Sequence, residues 1–80
     1  MRKLSLEHNH LIDLPTSLVR LQKLESLNLR ANQLSVFPEV LQKLPNLRFL
    51  DLSQNPLVHS ASLRHQIQAL IPQCRITFQW

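Results

Sequence analysis

Asn9, Asn32 and Asn55 stand 23 residues apart, and four sets of apolar residues keep the same interval. Leu4, Leu27 and Leu50 form one set, and Leu6, Leu29 and Leu52 a second. Leu11, Leu34 and Leu57 form a third, and Met1, Leu24 and Leu47 a fourth. A fixed period in the range of roughly 20–50 residues marks a solenoid, whose units bury their apolar faces only against one another. With 80 residues, the chain has room for one domain made of a few stacked units.

Within a unit, Leu27 and Leu29 alternate with Asn28 and Arg30, the pattern of a strand with one buried face. Leu41 and Leu44 recur at three-residue spacing behind Pro38, whose missing N–H and fixed φ suit the first turn of a helical segment. Each unit therefore predicts a short strand, a turn and a short helical or 3-10 return, with parallel strands about 4.8 Å apart. The string Leu24-x-x-Leu27-x-Leu29-x-x-Asn32-x-Leu34 resembles the leucine-rich repeat. The pairs Leu14-Pro15 and Phe37-Pro38 are similar to a Leu-Pro variant common in bacterial and intracellular members. The resemblance implies an α/β fold, a short right-handed β-α superhelix with about four parallel strands, in which residues 1–58 make about 2.5 repeats. It also implies that the column asparagines turn inward to satisfy backbone groups at the bend, and so are not binding residues.

After Leu57 the repeat breaks, with Ser60-Ala61 where a Leu-Pro pair is due. Leu63, Ile67, Leu70 and Ile71 have helical spacing, so a helix is expected over about 62–71, capped by Ser60 or Ser62 and stopped by Pro72. The alternation from Cys74 to Gln79 predicts a last strand over about 74–79. The stretch Leu70 to Phe78 is similar to the tail of some bacterial leucine-rich repeat proteins, which makes residues 59–80 a C-terminal cap. Cys74, one residue past the 23-residue register, is expected in a core column beside Leu50, buried and unreactive.

Composition removes several function classes. Glycine is absent, so no Gly-rich phosphate loop of either nucleotide-binding type is present. One cysteine excludes an internal disulfide framework and a Cys-rich zinc module. No apolar run approaches the ~18 residues of a membrane span. The start, with Glu7, His8, Asn9 and His10 following two positive charges, does not read as a signal peptide; with the lone cysteine this gives a cytoplasmic expectation. The net charge is +4, but the basic residues are spread along the chain, which makes nucleic acid an unfavoured partner. His8 and His10 beside Glu7 are read as solvated, since a zinc site needs three or four converging ligands. No nucleophile–base pair or paired carboxylates emerge, so neither catalysis nor a cofactor is expected.

Function is expected on the outward strand positions, where solenoids take partners. The columns read Lys3, Ser26, Phe49; then Ser5, Asn28, Asp51, Arg75; then Glu7, Arg30, Ser53, Thr77, with His8, Ala31 and Gln54 beside them. Candidate protein-binding residues are Lys3, Glu7, His8, Asn28, Arg30, Phe49, Asp51 and Arg75, with Phe49 the aromatic anchor. Glu7 with Arg30, Asp51 with Arg75, and the ladder Arg2, Glu25, Arg48 are expected ion pairs. The leading function is a non-catalytic protein-interaction module; the alternatives are a structural C-terminal capping piece of a longer repeat protein and a weak anionic-ligand or nucleic-acid binder. Nothing before the first strand reads as a cap, so residues 1–11 are expected to self-associate or to meet further repeats.

Overall fold

A computed structural model describes residues 2–79. Met1, expected at the head of the Leu24 and Leu47 column, and Trp80, expected at the end of the cap, lie outside the described residues. The strands are β1 (Lys3–Ser5), β2 (Ser26–Asn28), β3 (Phe49–Asp51) and β4 (Arg75–Thr77), all parallel and in sequence order. The register is the repeat itself: Leu4 lies beside Leu27, and Leu27 beside Leu50.

Besides a 3-10 turn at Pro56–His59 just after the third bend, the returns of the first two units are 3-10 turns at Thr16–Arg20 and Glu39–Lys43. Pro15 and Pro38 do not open them as first helical residues. Each sits one place earlier in extended conformation, with ψ of 142° and 115°. There its carbonyl accepts the first turn's bond, from Leu18 N–H at 3.2 Å and Leu41 N–H at 3.1 Å. The helix α1 (Ala61–Leu70) takes the place of the return in the last unit; Ser60 Oγ accepts from Leu63 N–H at 3.1 Å and caps it. Ile67 and Ile71 are buried as the spacing predicted, but Leu70 is 49% exposed. It lies beside Ile71 at the helix end, and only the Ile67 and Ile71 side of the last turn reaches the core.

The core is a stack of leucines. Leu24, Leu29, Leu34, Leu41 and Leu52 are fully buried, and Leu27, Leu44, Leu47, Leu50 and Leu57 nearly so. Their first-unit counterparts Leu4, Leu6 and Leu11 are only partly buried, because they have a stacked neighbour on one side. Asn32 and Asn55 turn inward as expected. Asn32 Oδ1 accepts from Asn9 N–H and Leu11 N–H, each at 3.0 Å, and its Nδ2 donates to Leu6 O and Leu29 O, each at 2.9 Å. Each clamp thus fastens its own bend to the preceding unit. Asn9 departs from the expectation: it is exposed, and among the described residues its backbone N–H, not its amide, joins the ladder.

The turns after the strands take left-handed backbone at His8, Ala31 and Gln54, with φ of 60°, 59° and 56°. Glycine suits such a position best, yet the chain has none. At Ala31 and Gln54 the asparagine clamp one residue later holds the bend in that conformation.

Cys74 is not beside Leu50. Its N–H donates to Ile71 O at 3.0 Å, as Leu47 N–H donates to Leu44 O at 3.3 Å, so it takes Leu47's place ahead of the strand. One residue fewer then separates this position from the strand, and Ile76 becomes Leu50's neighbour. Burial pushes the Cys74 thiol up to about 11. Two results are expected. Maleimide should label Cys74 slowly in the native chain and rapidly in denaturant. The folded chain also keeps this proton at pH values where the unfolded chain loses it. Stability should therefore be full below the ordinary thiol pKa and fall as pH rises from there through about 11, as read by melts of the parent and of Cys74→Ala. A native chain labelled as fast as the denatured one would contradict the burial.

Candidate functional site

Parallel pairing gathers the first and third residues of each strand on the face opposite the central leucines. Lys3, Ser26, Phe49 and Arg75 form one row across all four strands, and Ser5, Asn28, Asp51 and Thr77 form the next. Arg75 was expected in the second row beside Asp51. The shortened path from Cys74 moves it into the first, beside Phe49, and puts Thr77 beside Asp51. Phe49 is 52% exposed in the middle of this face, so it does not pack away against Lys3 or Ser26. A shallow depression of about 250 Å³ lies over the rows, lined by Ser26, Asn28, Phe49, Asp51, Arg75 and Thr77.

The third expected column is not a uniform surface. Glu7 and Arg30 are half-buried, but Ser53 is buried, and its Oγ accepts from Gln79 N–H at 3.0 Å. Ser53 therefore ties the cap to the last repeat and drops out of the candidate surface.

The expected ion pairs are mostly replaced by shorter-range partners. Glu7 Oε1 accepts from Asn28 Nδ2 at 2.9 Å, and its other oxygen lies 3.2 Å from His8 Nε2, so it does not pair with Arg30. Asp51 Oδ1 accepts from Ser53 N–H at 2.9 Å, the same turn that Asn28 Oδ1 makes with Arg30 N–H at 3.0 Å. A short acceptor two residues ahead of a free N–H outcompetes a long arginine on the adjacent strand, because it loses little side-chain entropy. With Arg75 displaced to the other row, the Asp51–Arg75 pair is also lost. Of the ladder, Arg2 and Glu25 meet at 3.5 Å; both ends are well exposed, so the pair contributes little to stability.

The structure thus brings Lys3, Asn28, Phe49, Asp51 and Arg75 onto one surface and sets Glu7, His8 and Arg30 along its trailing edge, past the strand ends. Sequence reasoning left Thr77 and Ser26 out of the candidate set, and both line the depression. Their signal was column membership, which chemistry-based selection passed over. Among the described residues, no three His, Cys, Asp or Glu side chains are grouped to hold a metal ion. No helix among them is long and apolar enough to cross a membrane.

The family comparison decides the assignment. The model described as "Leucine rich repeat" matches residues 1–57, and a second of the same description matches 46–70. The chain belongs to the leucine-rich repeat family. A leucine-rich repeat protein of Leptospira interrogans has a similar structure, with a TM-score of 0.84 and 39% identity over 96% of this chain. A probable serine/threonine-protein kinase of Dictyostelium discoideum is 41% identical over 58 residues, or 71% of this chain. This leucine-rich repeat chain spans 19% of the Leptospira protein and 5% of the kinase. Leucine-rich repeats are typically used for protein interaction.

Proposed function

We propose that this leucine-rich repeat is a non-catalytic recognition module that takes a protein partner on its strand face. The observation that carries this reading is Phe49, an aromatic half open to solvent at the centre of a surface whose reverse side there is the buried Leu27 and Leu50. Aromatic side chains in such positions are the usual anchors of interfaces. The surrounding polar groups, Ser26, Asn28, Arg75 and Thr77, supply donors and acceptors that orient a partner without chemistry.

Peptides selected from a random library against the folded chain test the location without assuming the partner. Phe49→Ala should weaken the selected binders about tenfold, a common loss for an interface anchor. Arg20→Ala, on the return side, should change them less than about twofold, and both variants should keep the parent melt. Binders indifferent to Phe49 would move the site elsewhere.

A second reading, stacking at the β1 edge, is favoured by Asn9. Asn32 and Asn55 each use their amide on the preceding unit, whereas the Asn9 amide meets no hydrogen-bond partner among the described residues. Leu4, Leu6 and Leu11 are correspondingly under-covered. A further unit of the same kind would supply the missing N–H and C=O groups and the apolar contact. Joining a designed repeat with a polar outer face ahead of Met1 should raise the melting temperature and move sedimentation toward monomer. An unchanged melt and a chain already monomeric at high micromolar concentration would contradict this reading.

A further inference from the structure

We propose that the partner segment on the strand face is an extended acidic stretch with the pattern acid-x-apolar-x-acid, lying across the strands along the Lys3–Ser26–Phe49–Arg75 row. The inference rests on the strand-face reading above and assigns the chemistry of its ligand.

The first argument is charge. Every acid on this face already has a neighbour: Glu7 has Asn28 and His8, Glu25 has Arg2, and Asp51 has the Ser53 N–H. Lys3, Arg48 and Arg75 are exposed at the leading ends of their strands, and among the described residues none has a carboxylate within 4.0 Å. The leading rim is therefore positive without internal compensation, flanking an exposed aromatic. Charged groups arranged this way select a partner of opposite sign.

The second argument is spacing. Strands about 4.8 Å apart put Lys3 and Arg75, three intervals away, about 14 Å from each other. An extended segment rises about 3.3 Å per residue and points every second side chain the same way. Its residues i and i+4 are thus about 13 Å apart, with i+2 on the same side between them. Acids at i and i+4 meet Lys3 and Arg75, and an apolar i+2 settles over Ser26 and Phe49, where the depression has Leu27 and Leu50 beneath it. Asp51, one row further along, repels the same peptide if it slides toward the trailing edge, which fixes its path.

The probe is a fluorescein-labelled peptide Ser-Glu-Ser-Leu-Ser-Glu-Ser, titrated by anisotropy to millimolar protein. Its controls carry Lys for both Glu, Ser for both Glu, or Ser for Leu, and a thymidine oligonucleotide serves as a generic polyanion. The Glu peptide should bind about tenfold more tightly than the Lys peptide, and added salt should weaken it. Arg75→Glu and Lys3→Glu should each cost about tenfold, Phe49→Ser a similar factor, and Arg20→Glu less than about twofold. The Lys peptide should recover binding on the Lys3→Glu/Arg75→Glu double variant. All these positions are exposed, and unchanged melts confirm folding.

Equal binding of Glu and Lys peptides, or none at millimolar concentration, overturns the proposal. If the oligonucleotide binds as well as the Glu peptide and Phe49→Ser affects neither, the rim is a general anion patch and the proposal also fails. If the uncharged Leu peptide binds best and Phe49→Ser removes it, the strand-face reading stands and the acidic chemistry falls. If bound peptides respond to neither Phe49 nor Arg75, both readings fall together.

Discussion

Asn55→Ala is expected to destabilise the chain by roughly 2–6 kcal/mol, while Asn9→Ala should cost less than about 0.5 kcal/mol. The two residues hold the same place in the repeat, so only their surroundings separate them. Asn55 is fully buried. Its Oδ1 accepts from Leu34 N–H at 3.1 Å, and its Nδ2 donates to Leu29 O, Leu52 O and Ser53 O between 2.9 and 3.1 Å. Alanine leaves the Leu34 N–H and the Leu52 carbonyl without that partner in a site water does not reach, at roughly 1–3 kcal/mol for each group. It also releases Gln54 from the clamp that holds its left-handed backbone. Total stability for a domain of this size is about 4–12 kcal/mol, so the variant is expected to be largely unfolded or close to it. Chemical denaturation of the two alanine variants, with Asn32→Ala between them, reads the gradient directly. Equal losses at Asn9 and Asn55 would mean that the amides do not clamp one unit to the next.

Leu29→Ala and Leu52→Ala should each cost roughly 2–5 kcal/mol, because each leaves a cavity in a stack closed on both sides. Both side chains have zero solvent exposure. Leu6, in the same column but with a neighbour on one side only, should cost distinctly less as alanine, since part of its surface already meets water. The order Leu29 and Leu52 above Leu6 is the useful quantity, because it depends on stacking rather than on residue type. Thermal melts by circular dichroism give it, and a melt unchanged in Leu29→Ala would contradict the register.

The repeat interval made most of this architecture legible before any coordinates. Five columns at one period placed the strands, the buried leucines and the asparagine bends, because in a solenoid each unit must repeat its neighbour's solution to burial. Legibility ended where periodicity ended. The last strand's register depended on how many residues lie between the helix and the sheet, and the Ile71–Cys74 turn that sets this number has no signature in residue spacing. That two-residue slip moved Arg75 from Asp51 to Phe49 and so changed the charge pattern of the candidate site. The Arg2–Glu25 pair formed, but the Glu7–Arg30 and Asp51–Arg75 pairs failed for a related reason: column membership shows which side chains are adjacent, not which nearer groups compete for the same oxygen. Ser53 was misplaced because its column lies past the strand end, where the chain already bends inward. Asn9 was misplaced because a column rule does not register that, among the described residues, its unit is stacked on one side only.

The claim that the outward strand rows form the binding surface is tested most directly by amide shift mapping, with the library-selected peptides added to isotopically labelled protein. Shifts should concentrate at Ser26, Asn28, Phe49, Asp51, Arg75 and Thr77, with the return segments Thr16–Arg20 and Glu39–Lys43 unmoved. Shifts concentrated on those returns would contradict it.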